Sequence, residues 1–150
     1  SGLGLRLAGL APWNRPEDPT FLTRSTHALI EAMKAEAVKR VVVISAGGVG
    51  DSFAQMPGFF RAMIRLTALK HSYAQLHDME QQLLASGLDV CVARPTGLTD
   101  GPLTGKVVVA KGFKGRATIA RADVAQWMLD QLELPAFVEK TPMITVTGAA

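Results

Sequence analysis

The stretch that decides the fold is Lys39-Arg-Val-Val-Val-Ile-Ser-Ala-Gly-Gly-Val-Gly-Asp51. Val41 to Ile44 are consecutive β-branched residues, and a run this apolar, without alternation, predicts a strand buried on both faces, as in a parallel sheet. Ser45 and a cluster of glycines end the strand. Because ligands of open α/β sheets bind just beyond the carboxyl ends of strands, Ser45 lies where a hydroxyl could serve a ligand. The alternative is an ordinary turn in which Ser45 only caps or packs.

Helices and further apolar strands alternate on either side of this stretch. Asp18-Pro19 predicts a helix start, because a carboxylate is a good N-cap and proline suits the first helical position. A long helix is expected from about Phe59 to Ala85, broken near His71. The other predicted elements are a loop at residues 51–58, a strand at 88–93, a loop at 97–105, a short strand at 106–110, an extended segment at 117–120, a helix from 121 and a strand at 143–146. This alternation implies a parallel sheet with crossover connections.

The composition excludes several classes of protein. The 150 residues suit one domain, and the contents of 48% hydrophobic and 19% charged residues are those of an ordinary globular protein. The basic residues are scattered and not interleaved with aromatics, so a nucleic-acid partner is not expected. No apolar stretch is long enough for a membrane span, so no membrane partner is expected. The single cysteine, Cys91, excludes an internal disulfide and fits a reducing, cytoplasmic compartment.

Four segments in order resemble one family. In one segment a helix carrying Glu80 is followed by Ser-Gly-Leu-Asp, by a strand, and then by Arg-Pro and Gly-Leu. The other three segments are Val-Val-Val-Ile-Ser-Ala at 41–46, Asp-Gly-Pro-Leu-Thr-Gly at 100–105 and Ile-Ala-Arg-Ala-Asp-Val-Ala at 119–125. Between Gly4 and Thr147 the chain resembles the atypical short-chain dehydrogenases/reductases. That NAD(P)-binding group includes NmrA-like proteins and flavin reductases of the biliverdin reductase B type.

The resemblance implies an α/β fold, a Rossmann-like doubly wound parallel sheet, in a single domain over residues 1–150. The glycine-rich first βαβ unit, which holds the pyrophosphate in this fold, has no counterpart in the sequence. The resemblance therefore implies that the chain is the C-terminal part of such a domain, truncated at its N-terminus; the alternative is a domain that has lost half of its cofactor site. It also implies that strand Arg40–Ile44 lacks one of its neighbours. A bare strand edge recruits other chains, so self-association through this strand is expected.

The resemblance further implies a site for NADP or NAD, with NADP favoured. Three groups of residues correspond to positions along the cofactor. The loop after the family's fourth strand corresponds to Gly4, Leu5 and Arg6. The strand end beside the nicotinamide corresponds to Ile44 and Ser45. The segment that meets the carboxamide through backbone groups corresponds to Pro95, Thr96, Gly97 and Leu98. For the glycines the alternative is turn geometry alone, and for Arg6 it is a solvated surface charge.

The tyrosine and lysine of typical short-chain dehydrogenases are not matched. Tyr73 is followed four places later by His77 instead of the lysine whose ammonium would lower the pKa of the phenol. Tyr73 is therefore predicted to be a helix-face residue, and Ser45 is the predicted catalytic residue. The resemblance implies an NAD(P)H-dependent reductase of a small planar acceptor, such as a flavin or a quinone, that works by orienting the reactants. The alternative is a non-catalytic NAD(P)-binding redox sensor of the NmrA-like type.

Overall fold

The computed structural model describes residues 18–113 and 117–146. Within these ranges the helices are α1 (Phe21–Ala35), α2 (Gly58–Leu66), α3 (Leu69–Ala85) and α4 (Arg121–Glu133), and a 3₁₀ helix covers Gly50–Gln55. The strands are β1 (Arg40–Ile44), β2 (Asp89–Pro95), β3 (Gly97–Thr99), β4 (Val107–Val109), β5 (Thr118–Ala120) and β6 (Met143–Val146).

The main sheet has the strand order β1-β2-β6-β4. β1 pairs with β2 in parallel, with Val42 opposite Cys91, and β2 pairs with β6 in parallel, whereas β4 runs antiparallel to β6. A separate parallel pair is formed by β3 and β5. The carboxyl ends of β1 and β2 therefore lie side by side, which brings Ser45 next to the Pro95 segment.

Helices cover both faces of the sheet. On one face, Ile30 of α1 and Met79 and Leu83 of α3 pack on Val90 and Val92 of β2. On the other face, Val124, Trp127 and Met128 of α4 pack against Ala93 and Ile144. The alternating residues of β2 thus enter two different cores, and the Rossmann-like α/β fold is confirmed. Burial on both faces was predicted for residues 41–44 and is wrong. These residues of β1 are at most half-buried, and Ile44 is 43% exposed, because β1 lies at the edge of the sheet in the described ranges.

Several predicted boundaries need correction. The long helix is broken at Thr67 and Ala68 instead of near His71. α1 begins at Phe21, because Asp18 accepts the N–H of Thr20 at 2.8 Å and so closes a turn before the helix. β2 continues to Pro95, since the N–H of Arg94 still finds a sheet partner in the carbonyl of Pro142 at 2.9 Å.

Two predicted loops contain regular structure. The 97–105 prediction was wrong in its first part, because Gly97–Thr99 is strand β3, paired with β5. The 51–58 prediction missed the 3₁₀ helix over Gly50–Gln55. Both elements are short and depend on contacts with distant parts of the chain, which local sequence does not encode.

β1 ends the sheet within the described ranges, so its outer edge has no hydrogen-bonded neighbour there. Self-association through this edge stays a prediction. No helix in the described part of the chain is long and apolar enough to cross a membrane.

Candidate functional site

Ser45 follows β1 directly and is held by its backbone. Its N–H donates to the carbonyl of Ala93 at 2.7 Å, which continues the β1–β2 ladder by one residue. The residue is 8% exposed, and its Oγ has no hydrogen-bond partner among the described residues. A buried hydroxyl without a partner costs about 1–3 kcal/mol, so such a group invites a functional explanation. The preceding Ile44 is 43% exposed, so the strand end is open on that side.

The glycine turn after Ser45 packs closely on the end of β2. The N–H of Gly47 donates to the carbonyl of Pro95 at 2.8 Å. A Cβ at Gly47 would lie 2.9 Å from Cζ of Phe113 and 3.0 Å from that carbonyl oxygen, which is closer than packing allows. Gly48 has a φ of +92°, and its N–H donates to Oγ of Ser52. The turn therefore needs glycine for close approach and for its backbone conformation.

The predicted carboxamide segment is largely engaged within the protein. Thr96 donates its N–H to Ile144 at 3.0 Å, and Gly97 donates its N–H to Ala117 at 3.1 Å. Leu98 lies in β3 opposite Ile119. The N–H groups of Thr96 and Gly97 are thus already occupied, and contact with a carboxamide stays a prediction. Gly4, Leu5 and Arg6 lie outside the described residues.

Tyr73 supports the turn. Its hydroxyl donates to the carbonyl of Gly47 at 3.2 Å, and its ring packs in a cluster with Met56, Ile64 and Phe113. Burial raises the pKa of the Tyr73 phenol above its usual 10. This is the opposite of the shift that a Tyr-Lys pair produces, which agrees with the predicted structural role of Tyr73.

A buried ion cluster, which the sequence reading missed, lies one residue before Pro95. Arg94 donates from Nε to Oε1 of Glu80 at 3.0 Å and from Nη2 to Oε2 at 2.6 Å, a bidentate pair in which Glu80 is fully buried. Its Nη1 contacts Oδ1 of Asp51 at 2.5 Å. Burial disfavours the charged guanidinium, but the hydrogen bonds to Glu80 and Asp51 outweigh it and raise the pKa of Arg94, which stays charged. The hydrogen bond from Arg94 lowers the pKa of Asp51.

Parallel strand ends followed by a glycine turn are features of α/β folds that bind ligands at the strand ends, and comparison with known proteins decides the family. Residues 8–135 match the NAD(P)H-binding family. The chain belongs to this family.

Relatives of this NAD(P)H-binding chain are longer than the chain itself. The uncharacterized sugar epimerase YhfK of Bacillus subtilis (strain 168) is 41% identical over 66 residues, which are 44% of this chain and 30% of that protein. The structure of ChuY from E. coli CFT073 is 23% identical, with a TM-score of 0.69, and the match covers 84% of this chain and 66% of that one. For ChuY of Escherichia coli O157:H7, described as an anaerobillin reductase, the identity is 22%, the TM-score 0.68, and the coverage 84% and 59%.

A fourth relative carries a cofactor. The short-chain dehydrogenase/reductase (wide type) of Veillonella parvula DSM 2008, solved in complex with NADP, is 15% identical with a TM-score of 0.68 over 84% of this chain and 59% of that one. At these identities the solved structures confirm the fold alone. The chain thus spans about three fifths to two thirds of the solved structures that it matches.

The strand end at Ser45 fits a bound ligand. The fit rests on the unpartnered Ser45 hydroxyl, buried at the carboxyl end of β1, where ligands bind in this type of sheet. In the described residues no group of histidine, cysteine, aspartate and glutamate side chains could hold a metal ion.

Asp123 fixes the loop on the other side of the β2 end, and it too was missed by the sequence reading. This residue of α4 is 1% exposed and accepts the N–H groups of Thr104 and Gly105, each at 2.8 Å, and the Thr104 hydroxyl at 2.9 Å. Burial alone would raise the pKa of this carboxyl, but the hydrogen bonds from Gly105 and Thr104 hold it below its usual range. The loop after β3 is therefore anchored beside the strand ends.

Proposed function

We propose that the complete protein is an NAD(P)H-dependent reductase that transfers a hydride to a small planar acceptor, such as a flavin or a quinone. The observation that carries this proposal is the buried, unpartnered hydroxyl of Ser45 at the end of β1, in a chain of the NAD(P)H-binding family. The reductase described for ChuY has the same fold, which supports a reductive reaction, and the relative solved with NADP supports NADP as the cofactor.

Ser45 serves this reaction as a hydrogen-bond donor at a fixed position. Its backbone is held by Ala93, and the next turn is held by Pro95 and by Tyr73, so the hydroxyl has little freedom to move. When bound, the reduced nicotinamide supplies the hydride. The Ser45 hydroxyl binds an oxygen at the reacting end, either of the carboxamide or of the acceptor, and orients the two reactants toward each other.

The test is consumption of NADPH by the full-length protein with flavin and quinone acceptors, followed by absorbance. Ser45→Ala is expected to lower kcat/KM about tenfold, because it removes one hydrogen bond from an oriented complex. The matched control is Ser25→Ala, since Ser25 lies on the exposed side of α1 and donates to the Leu22 carbonyl. Unchanged activity of Ser45→Ala would remove Ser45 from the mechanism and leave the reductase proposal standing.

A second candidate is a non-catalytic NAD(P)-binding redox sensor. The observation that favours it is the state of Tyr73, whose hydroxyl is engaged by Gly47 and whose pKa is raised by burial, so the usual catalytic acid of dehydrogenases is missing. The sensor binds NADPH and does not consume it with any acceptor. Tight binding without turnover across a broad acceptor panel would favour the sensor over the reductase.

A further inference from the structure

A polar cleft opens beside the ion cluster. Its volume is about 310 Å³, and it lies between the 3₁₀ helix and the edge formed by β4 and the start of β6. The charged residues of its lining are Asp51, Arg94, Lys111 and Glu139. Hydroxyl and amide groups of Ser52, Gln55 and Thr141 complete its polar wall. The lining of the cleft therefore suits a ligand with charged or strongly polar atoms. Its volume is large enough for only part of an acceptor.

The two acidic partners of Arg94 differ in how firmly they are held. Glu80 is fully buried in α3 and binds the guanidinium through both oxygens. The side chain of Asp51 is 79% exposed and binds through one oxygen. Ion pairs with an exposed partner contribute little to stability, because water competes for both charges. Asp51 is thus the weakly bound partner of a guanidinium that is itself only 5% exposed.

We propose that the cleft binds an anionic group of the acceptor, a carboxylate or a phosphate, and that this group replaces Asp51 on Nη1 of Arg94. The ligand oxygen takes the position of Oδ1 of Asp51, so the guanidinium keeps its third partner. Lys111, exposed at the rim of the cleft, adds a second positive charge beside the incoming anion. Bidentate pairing with Glu80 persists throughout and keeps Arg94 in place.

The resting charges of the cleft explain why a displaceable acid is useful. Glu80 already neutralises Arg94, and Asp51 and Glu139 outweigh Lys111, so with Asp51 in place the acidic residues around the cleft outnumber the basic ones. Glu139 repels an anion and limits its affinity, whereas displacement of Asp51 toward solvent removes one negative charge, so that a singly charged anion takes its place without changing the net charge. Gly48 and Gly50, with φ values of +92° and +58°, precede Asp51 and have backbone conformations that favour glycine.

Arg94, which lines the cleft, lies next to the Ser45 turn along β2. Ser45 binds the carbonyl of Ala93 and Gly47 binds the carbonyl of Pro95, so Arg94 lies between the two anchor points of the turn. An acceptor whose ring lies at Ser45 can therefore direct an anionic arm toward Arg94. This inference rests on the proposed function and assigns the acceptor a chemical class: a planar ring with an anionic substituent.

The test compares matched ligands that differ only in charge, by equilibrium binding to the full-length protein. FMN and riboflavin differ by a phosphate and are followed by flavin fluorescence; a carboxylated naphthoquinone and its methyl ester differ by a carboxylate. Asp51→Asn removes the competing acid and is expected to raise the affinity ratio of anionic to neutral ligand about threefold to tenfold. Lys111→Gln is expected to lower the same ratio about threefold.

The control is Asp78→Asn, which makes the same change of charge on an exposed residue of α3 that does not line the cleft. It is expected to leave the ratio unchanged. A merely structural role of Asp51 would weaken the binding of both ligands equally. Ratios unchanged in both Asp51→Asn and Lys111→Gln would overturn the inference, and Lys111→Gln decides alone if Asp51→Asn does not fold.

The two ligand pairs distinguish a phosphate site from a carboxylate site, because the ratio should move most for the anion that the cleft prefers. Binding needs no turnover, so the outcome is independent of whether NADPH is consumed. Loss of the charge preference with intact NADPH consumption would overturn this inference only. A charge preference without any NADPH consumption would overturn the reductase proposal only.

Discussion

The ends of β1 and β2 lie side by side, and each carries a buried hydroxyl, but the two hydroxyls differ. Thr96, after β2, donates from Oγ1 to Oγ1 of Thr145 at 3.1 Å, and both residues are buried. Ser45, after β1, is as buried as its neighbour and has no partner for its Oγ in the described residues. One hydroxyl is satisfied within the fold, and the other is satisfied by no described residue.

The difference extends to the segments around the two residues. The β2 end is fixed on several sides: Arg94 by Glu80, the Thr96 backbone by Ile144 and the Gly97 backbone by Ala117. The β1 end passes into a turn of glycines held mainly through backbone groups, with Ile44 exposed beside it. A fixed strand end beside an accessible one suits a ligand-binding site, because the fixed β2 end holds the neighbouring β1 end in position.

The largest expected effect on stability is at the buried ion pair of Glu80 and Arg94, which fixes the β2 end. Glu80→Gln leaves the buried guanidinium of Arg94 with Asp51, an exposed partner, as its main counter-charge. We expect the free energy of unfolding to fall by about 3 kcal/mol, as when one partner of a buried ion pair is removed. Urea denaturation at neutral pH measures the change.

Glu31→Gln is the control for this variant. Glu31 lies 3.9 Å from Lys34 in an exposed pair on α1, and its loss should change stability by less than about 0.5 kcal/mol. A loss below about 1 kcal/mol for Glu80→Gln would show that the β2 end does not depend on the buried pair. The contrast between a fixed β2 end and an open β1 end would then fail.

An intermediate effect is expected at Thr96. Thr96→Val keeps the shape of the side chain and leaves the fully buried Thr145 hydroxyl without its partner, so stability should fall by about 1 kcal/mol. Thr96→Val combined with Thr145→Val removes both polar groups and should restore most of the loss. If the losses of Thr96→Val and Thr145→Val simply add in the double variant, the hydroxyl pair is not the cause of the effect.

The residues that sequence alone located are those with strong local signals. The β-branched run predicted β1 with its observed bounds, and the glycines after it correctly placed a tight turn at Ser45. The parallel pairing of β1 with β2 followed from the alternation of helices and strands. The run predicted the strand but not its burial: β1 is at most half-buried, because burial depends on which elements lie beside the strand.

The features that the sequence reading missed depend on distant partners. Glu80 and Arg94 are 14 positions apart on different elements, and nothing in their spacing marks them as a pair. Asp123 reaches back to Thr104 and Gly105, and strand β3 exists because β5 lies beside it. Sequence also singled out Ser45 but could not show that its hydroxyl lacks a partner among the described residues, since that depends on every neighbouring group.

The smallest effect on stability, and the sharpest test of the comparison, is expected at Ser45 itself. Ser45→Ala removes a buried hydroxyl that forms no hydrogen bond in the described residues, so the free protein should be unchanged or more stable by up to about 1 kcal/mol. A Ser45 hydroxyl that binds the carboxamide, the first of the two partners proposed for it, requires the opposite in the presence of cofactor. Because a ligand stabilises the folded state according to its affinity, saturating NADPH should raise the Tm of Ser45→Ala less than that of the unmodified protein.

Thr96→Val should show the reverse pattern, with a lower Tm in the free protein and an ordinary shift with cofactor. Scanning calorimetry of both variants, with and without NADPH, measures the two effects together. A clear loss of stability in free Ser45→Ala would mean that the hydroxyl has a structural partner and that the two strand ends are alike.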